Sequence, residues 1–345
     1  MKNKEINGMG LEELKEYMSE LGEQAFRGEQ VFNFFHANRG VNIEDANTLS
    51  KKLREKISKE ANINKIEIYR KYESEIDNTK KYLFQLEDEN IIESVLMEYK
   101  HGRSVCISTQ VGCKMGCSFC ASTKGGLIRD LTTAEMLNQV YEIERDINSE
   151  ISNIVLMGSG EPLDNYEETL NFIKIITDEK GHNLSMRNIT LSTCGVVPMI
   201  DKLAEEELSI TLAISLHSAF DEKRQEIMPI AKKYSIDELI QACRRYVEKT
   251  GRRITFEYTL IEGVNDSVED AEKLSELFKG LNMHLNLIPL NPIKEYNGEV
   301  ASIRNIEKFK KILDNKNIRT TIRREMGQDI SASCGQLRRS VLGDN

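Results

Sequence analysis

An alternation of apolar runs with amphipathic segments, from Ser104 almost to the end of the chain, constrains the fold more than any other feature. Apolar runs of four to eight residues alternate with longer segments whose apolar residues recur every three or four positions. This pattern is typical of βα units on a parallel sheet. We predict strands in SVCIST, NIVLM, NITLS, ITLAIS, ITFEYTL, HLNLIPL and IRTTIR. Six βα units and a closing strand predict an α/β fold, a partial (β/α)6 barrel rather than an eight-fold one.

The residues before this alternation carry different signals. Residues 1–75 contain amphipathic segments such as LEELKEYMSELG and TLSKKLREKISKEAN, which predict a small helical N-terminal domain. Two strand-like runs, KYLFQLE and IIESVLME, flank the turn-prone Asp88-Glu89-Asn90 and predict a connecting β-hairpin within residues 76–100. The barrel is then expected over residues 101–345.

Cysteine usage points to chemistry rather than to disulfides. The 345-residue chain has seven cysteines, an odd number, and it shows neither an apolar leader nor an apolar run near 18 residues. We therefore expect a cytoplasmic protein that is not inserted in a membrane. Thiols stay reduced in that compartment, so clustered cysteines there bind metal or take part in catalysis.

Three cysteines form a tight cluster, Cys113, Cys117 and Cys120, in GCKMGCSFCAS. Three thiolates can hold three irons of a [4Fe–4S] cluster and leave the fourth iron open for a ligand. A zinc site with Cys106 or His101 as fourth ligand is the alternative, because zinc prefers closed tetrahedral coordination by nitrogen and sulfur. Spacing alone does not decide between the two.

Polar residues follow the predicted strands, at the end where barrel enzymes place their sites. The glycines of MGSGEP let the backbone approach a ligand, and the carboxylate beside them can accept hydrogen bonds from a ligand ammonium group. Each such residue alone is commonly a turn or cap residue. Together they predict a ligand site at one mouth of the barrel, formed by Gly160, Glu161, Ser192, Ser215, Leu216, His217 and Asn291.

These motifs carry a family resemblance. The triplet, with Phe119 before its last cysteine, resembles that of the radical S-adenosylmethionine (radical SAM) enzymes, and GEP is similar to their motif for the methionine amino group. CISTQVGCKMGCSFCAS, SLHSAFDEKRQEIMPI, EGVNDS and DISASCGQLR together resemble the RlmN/Cfr adenosine methyltransferases over nearly the whole chain. The resemblance implies a radical SAM barrel, one [4Fe–4S] cluster on the triplet, and two S-adenosylmethionine molecules per turnover.

The resemblance also implies a radical route to an electron-poor ring carbon. Cys334 takes a methyl group from one S-adenosylmethionine by displacement. Reductive cleavage of a second yields a 5′-deoxyadenosyl radical, which removes hydrogen from that methyl group, and the carbon radical adds to adenine. Glu93 is implied as proton acceptor, and Cys106 as the thiol that attacks Cys334 and leaves a transient disulfide. By pattern alone, Glu93 is a solvent-facing hairpin carboxylate and Cys106 a buried strand residue.

The methylated carbon is a finer question. Pro162 resembles the branch that methylates carbon 2 of adenine, whereas the Cfr branch, which methylates carbon 8, carries Ala there. Ser159 departs from the Met expected in this motif. We expect carbon 2 methylation, with Cfr-like carbon 8 methylation and antibiotic resistance as the alternative. A non-catalytic zinc-binding RNA module is a third hypothesis, and it leaves the strand-end residues unexplained.

Partners follow from the same resemblance. It implies 23S ribosomal RNA and tRNA as substrates, an electron donor such as flavodoxin or ferredoxin, and a monomer. The net charge of −9 argues against a surface that coats nucleic acid generally, so RNA contact needs a local basic patch. Candidate basic residues are Arg244, Arg245, Arg252, Arg253, Arg319, Arg323, Arg324, Arg338 and Arg339. For Cys194 and Cys243 we expect no role beyond packing.

Overall fold

Helices form most of the chain before Glu67. The computed structural model describes residues 5–100, 102–338 and 340–341. The N-terminal helices are α1 (Leu11–Glu20), α2 (Phe26–Phe32) and α3 (Lys51–Glu60). The Ser50 hydroxyl caps α3 by accepting a hydrogen bond from the Leu53 amide at 3.2 Å. The predicted helical N-terminal region is therefore present.

The connecting element has a third strand that the sequence did not predict. Its strands are β1 (Glu67–Glu73), β2 (Lys80–Gln85) and β3 (Asn90–Tyr99), which pair antiparallel in that order. Every residue of β1 is exposed, so this strand lacks the apolar alternation on which a prediction depends. β3 also pairs antiparallel with the first barrel strand, where Val95 lies opposite Cys106. The hairpin therefore extends the barrel sheet.

A parallel sheet forms the rest of the structure. The strands are β4 (Gly102–Cys106), β5 (Gln110–Gly112), β6 (Leu127–Asp130), β7 (Asn153–Leu156), β8 (Ile189–Thr193), β9 (Thr211–Ser215), β10 (Ile254–Leu260), β11 (Met283–Pro289), β12 (Thr320–Ile322) and β13 (Ser340–Val341). The helices are α4 (Thr133–Ile147), α5 (Tyr166–Ile176), α6 (Val197–Glu205), α7 (Asp221–Ile227), α8 (Ile236–Thr250), α9 (Val268–Leu277) and α10 (Ile303–Asn315). No helix in the described part of the chain is both long and apolar enough to cross a membrane.

The strand order confirms the predicted partial barrel. β4, β7, β8, β9, β10, β11 and β12 lie side by side and run parallel. Within the described residues this gives six βα units and a closing strand. β5 and β6 form a separate small hairpin, and β13 pairs with β3. The carboxyl ends of the parallel strands therefore meet at one mouth.

The N-terminal helices and the barrel share one hydrophobic core. A single cluster of buried apolar residues runs from Ile6 to Ile318. Buried polar contacts add to it, because the His36 ring lies 3.1 Å from the Tyr141 hydroxyl of α4. The helical region is therefore packed on the outer side of the first barrel helix.

Candidate active site

One cavity opens at the carboxyl ends of the parallel strands and gathers most of the predicted site residues. The space between its lining atoms, including the part open to solvent, is about 910 Å³. Predicted residues on its wall are Cys113, Cys117, Cys120, Gly160, Glu161, Ser192, Ser215, His217, Asn291 and Cys334. The other predicted residues, Glu93, Cys106 and Leu216, lie off this wall.

The cysteine triplet lies in a folded loop after β5. The Cys120 amide donates to the Cys117 carbonyl at 3.2 Å, and the Thr123 hydroxyl donates to the Cys120 carbonyl at 2.9 Å. The Ser118 amide donates to the Ile227 carbonyl of α7 at 2.9 Å, which fastens the loop to the barrel. The chain itself thus holds the three thiols at the cavity.

The donor set fits a [4Fe–4S] cluster. Burial raises the pKa of Cys113 to about 12 and also raises the pKa values of Cys117 and Cys120, so a bound cation would favour the thiolate form of these side chains. Among the described residues, no three His, Cys, Asp or Glu side chains converge on a single metal ion. A cubic cluster needs no such convergence, because each cysteine binds a different iron. His101, one fourth ligand considered for zinc, lies outside the described residues.

Glycines let the MGSGEP turn lie against the loop that follows β4. A Cβ on Gly158 would lie 2.6 Å from the Ile107 carbonyl oxygen. A Cβ on Gly160, whose φ is +116°, would lie 2.6 Å from the Thr109 hydroxyl oxygen. Ser159, between the two glycines, is buried and lies off the cavity wall.

Glu161 is a buried carboxylate on the wall, 3% exposed. It accepts hydrogen bonds from the Leu163 amide at 3.0 Å and the Cys194 amide at 2.7 Å. Burial raises the pKa of this carboxyl group, and the amide hydrogen bonds oppose the rise. A ligand ammonium group beside Glu161 would stabilise the charge that burial disfavours.

The polar ends of β8 and β9 contribute Ser192 and Ser215 to the wall, whereas the Leu216 side chain is buried in the core. The Nδ1 atom of His217 accepts a hydrogen bond from the Thr259 amide at 2.9 Å, which places the ring proton on Nε2. Burial lowers the pKa of His217 to about 3, so the ring is neutral.

Cys334 lies in a loop that the wall itself holds in place. The Asn291 side-chain amide donates to the Cys334 carbonyl at 3.0 Å, and the Ala121 amide donates to the Gly335 carbonyl at 2.8 Å. Cys334 is exposed at the cavity, while neighbouring protein atoms raise the pKa of its thiol and the Arg323 guanidinium opposes that rise. The Oδ1 atom of Asn291 is buried and has no hydrogen-bond partner among the described residues, which leaves an acceptor for a ligand.

Cys106, the last residue of β4, is buried behind this loop. It packs in a small apolar cluster with Ala332 and Leu337 of the segment that carries Cys334. Burial raises the pKa of Cys106 to about 12, the Cys334 thiol raises it further, and Arg323 lowers it. The two thiols therefore share one electrostatic environment.

Glu93 on β3 is buried, 4% exposed, rather than solvent-facing as its pattern alone suggests. Its carboxylate accepts a hydrogen bond from the Arg338 amide at 2.9 Å and lies 3.5 Å from the Lys81 ammonium group. Burial raises the pKa of Glu93, and Lys81 opposes the rise. Glu93 thus contacts the segment that follows Cys334.

The cavity wall also carries a charged pair that was not predicted from the sequence as part of the ligand site. The Glu257 carboxylate of β10 lies 3.6 Å from the Arg323 guanidinium, and within the described part of the chain its buried Oε2 atom has no hydrogen-bond partner. The Asn286 amide donates to the other oxygen at 3.0 Å. A lone charged residue inside the apolar run ITFEYTL was the available signal. Cys194, for which only packing was predicted, also lies on the wall.

Some of the other candidate basic residues pair with acidic side chains at the surface. Arg245 contacts Asp201 at 2.8 Å, and Arg338 contacts Glu295 at 2.9 Å. Arg339 lies outside the described residues. The RNA-binding surface therefore stays a prediction.

Known proteins resemble the chain over nearly its whole length. Residues 107–276 match the model of the radical SAM superfamily, and residues 4–63 match that of the ribosomal RNA large subunit methyltransferase N-terminal domain. A probable dual-specificity RNA methyltransferase RlmN from Clostridium novyi is 51% identical over 342 residues, 99% of this chain and 100% of the relative. Its counterpart from Alkaliphilus oremlandii is 54% identical over 343 residues, 99% of each chain. The chain belongs to the RlmN family.

A solved structure supports the same assignment. The crystal structure of a radical SAM methyltransferase from Sphaerobacter thermophilus superposes with a TM-score of 0.93 and 42% identity, covering 97% of this chain and 99% of that one. The predicted family, fold class and radical SAM methyltransferase class are confirmed. The superfamily implies a [4Fe–4S] cluster and S-adenosylmethionine, whereas the roles of individual residues stay predictions.

Proposed function

We propose that this protein is a dual-specificity RNA methyltransferase that methylates carbon 2 of adenosine in 23S ribosomal RNA and in tRNA, through a methylated Cys334. One observation carries the proposal: the exposed Cys334 lies on the same cavity wall as the cysteine triplet, and Cys106 packs against the segment that carries Cys334. The names of the RlmN relatives support the substrate class.

The wall residues would bind the cofactors. Cys113, Cys117 and Cys120 would hold a [4Fe–4S] cluster, which supplies the electron for reductive cleavage of S-adenosylmethionine after reduction by a donor such as flavodoxin or ferredoxin. Glu161 would accept hydrogen bonds from the methionine ammonium group. The Oδ1 atom of Asn291, which has no partner among the described residues, would accept a hydrogen bond from the nucleoside part of S-adenosylmethionine. Gly160, Ser192, Ser215, Leu216 and His217 would make further contacts with S-adenosylmethionine.

Cys334 would act as the nucleophile toward the first S-adenosylmethionine. A bond forms between its sulfur and the methyl carbon as the sulfonium–methyl bond breaks, and the thiol proton leaves to solvent. The Arg323 guanidinium favours the thiolate that this step requires. Asn291, through the Cys334 carbonyl, would orient the loop over the cavity.

Glu93 and Cys106 would complete the reaction once the methylene group of Cys334 is joined to carbon 2. The radical adduct would lose one electron to a one-electron acceptor, which the oxidised cluster would supply. Glu93 would take the proton from carbon 2, because its burial raises the proton affinity of the carboxylate. Cys106 would then attack the Cys334 sulfur: the S–S bond forms, the sulfur–methylene bond breaks, and its electron pair passes to the base, whose new group gains a proton and becomes methyl. A thiol reductant would restore both cysteines.

Cys106→Ala expressed in cells tests this scheme. Without the resolving thiol, we expect a covalent protein–RNA adduct, seen after nuclease digestion as a mass increase on the Cys334 peptide. Cys243→Ala removes a buried thiol of α8 instead and should give no adduct. RNA-free Cys106→Ala protein would contradict the mechanism.

Nucleosides from RNA treated with the unaltered protein should contain 2-methyladenosine, and 8-methyladenosine would point to Cfr-like chemistry.

The domain division is part of the proposal. Residues 1–75 would bind RNA, residues 76–100 would carry the base Glu93, and residues 101–345 would form the catalytic barrel of a cytoplasmic monomer. Sedimentation of the full-length protein tests the monomeric state, because a dimer would sediment measurably faster.

A further inference from the structure

Arg224 of α7 is a fully buried arginine, 0% exposed, that the proposed reaction leaves without a role. Its Nε donates to the Leu216 carbonyl at 3.0 Å. Its Nη2 donates to the carbonyls of Cys194 at 2.8 Å and Ser215 at 3.2 Å. Its Nη1 has no hydrogen-bond partner among the described residues.

The positive charge of Arg224 is not balanced by an ion pair. Among the described residues, no carboxylate oxygen lies within 4.0 Å of its guanidinium. Asp221, at the start of the same helix, instead accepts a hydrogen bond from the Ile236 amide at 2.8 Å. An isolated buried cation is strongly destabilising, so a protein that keeps one is expected to hold an anion beside it.

The neighbours of Arg224 point to the cysteine triplet as the place of that anion. Ile227, on the same helix, accepts a hydrogen bond from the Ser118 amide inside the triplet at 2.9 Å. Cys117 and Ile227 pack in one apolar cluster. Cys194, whose carbonyl accepts the hydrogen bond from Arg224 at 2.8 Å, packs in the same cluster as Cys117, so the guanidinium lies one residue away from the triplet.

We propose that Arg224 supplies the counter-charge of the iron–sulfur cluster on Cys113, Cys117 and Cys120 and thereby raises its reduction potential. The inference rests on the proposed function, because it requires that cluster. Three thiolates leave the cluster with net negative charge, which one added electron increases. A fixed cation in a medium of low dielectric constant stabilises the reduced form more than the oxidised form. Arg224 therefore favours transfer of one electron from a low-potential donor.

Two substitutions separate this charge from the hydrogen bonds that Arg224 makes to strand-end carbonyls. Arg224→Lys keeps the charge and loses the planar fork of donors, whereas Arg224→Gln keeps amide donors and loses the charge. Arg245→Gln is the matched control, because it removes an exposed arginine of α8 that is paired with Asp201. A positional role through hydrogen bonds alone predicts that Lys and Gln act alike.

The test is a redox titration of the anaerobically reconstituted full-length protein, with dithionite as reductant and the electron paramagnetic resonance signal of the reduced cluster as readout. We expect a more negative midpoint potential for Arg224→Gln, and potentials near that of the unaltered protein for Arg224→Lys and Arg245→Gln. A potential unchanged in a fully loaded Arg224→Gln protein would overturn the inference. Failure of the unaltered protein to acquire any cluster would overturn the proposed function as well.

Thermal unfolding of the apo and loaded forms provides a second readout that does not need a complete titration. Loading should raise the melting temperature less in Arg224→Gln than in Arg224→Lys, because only the lysine still balances the charge of the cluster. Poor cluster retention confined to Arg224→Gln would support the same conclusion. If Arg224→Gln and Arg224→Lys lower the melting temperature equally, in the apo and in the loaded form, Arg224 has a purely structural role and the proposal is overturned.

Discussion

At the scale of single residues, two charged side chains set the reactivity of the free thiols. Arg323 lowers the pKa values of Cys106 and Cys334, and Glu257 raises that of Cys334. In both thiols the contribution of Arg323 opposes the larger rise that the surrounding protein atoms cause. Arg323 and Glu257 therefore act in opposite directions on the formation of the Cys334 thiolate.

Neutralising either member of this pair should change thiol reactivity in opposite directions. In apoprotein, Glu257→Gln should speed alkylation of Cys334 by iodoacetamide near pH 8, and Arg323→Gln should slow it, each by roughly threefold to tenfold. Mass mapping of tryptic peptides over time measures the rates. Cys243, buried in α8, is the internal standard and should react slowly in every variant. Changes of the same sign in both variants would contradict this account.

The sequence predicted which residue types are suited to the chemistry better than it predicted how those residues are buried and what they contact. The triplet and Cys334 were identified from motifs, because a motif fixes which residue types stand at which spacing. The burial of Glu93 and the presence of Glu257 on the wall could not be predicted, since both depend on which strand faces pack against other parts of the chain. A carboxylate between apolar neighbours is normally assigned to the surface.

At the scale of elements, the MGSGEP turn requires a residue without a side chain at position 160. Gly160→Ala adds strain at a φ of +116° and a contact of 2.6 Å with the Thr109 hydroxyl oxygen. We expect the free energy of unfolding to fall by about 2–4 kcal/mol. Urea denaturation measures it.

Gly263→Ala is the matched control for this turn. Its φ is +71° and no atom lies within 4 Å of the added Cβ, so only backbone strain remains, about 1 kcal/mol. Equal losses of stability in the two variants would show that the contact with Thr109 does not matter.

Elements with a visible apolar pattern were predicted, whereas β1 and α7 were not. The buried parallel strands such as β9 and β10 and the long helices α4 and α8 carry enough apolar residues to show this pattern. β1 is exposed throughout, and α7 has seven residues, less than the two turns that a helical period needs to appear. Yet α7 is the helix that holds Arg224 and fastens the triplet loop.

At the scale of the whole molecule, the N-terminal helices are joined to the barrel through buried polar groups. The His36 ring is fully buried, with Nδ1 3.1 Å from the Tyr141 hydroxyl. Burial lowers the pKa of His36 from 6.5 to about 3, so this histidine is neutral in the folded protein at physiological pH.

Replacing His36 should make the free energy of unfolding depend less on pH in the acid range. Between pH 6.5 and 3 the unfolded chain binds a proton at His36 that the folded protein does not, so stability falls as pH falls through this window. His36→Phe should reduce that slope by about 1.4 kcal/mol per pH unit. Denaturation at several pH values measures it. His217, whose pKa of about 3 gives a similar contribution, stays in place, so part of the slope persists. An unchanged slope would show that His36 is not the group that titrates.

Sequence patterns were enough to predict the βα repeat, the cysteine triplet and the family resemblance, because each depends on residue types at short, fixed spacings. The folded chain, in contrast, packs Cys106 against the segment that carries Cys334, brings Glu257 within 3.6 Å of Arg323, and buries Arg224 with no carboxylate partner among the described residues. These contacts join residues far apart in the chain, and their energies depend on burial and distance. Local sequence patterns carry neither quantity.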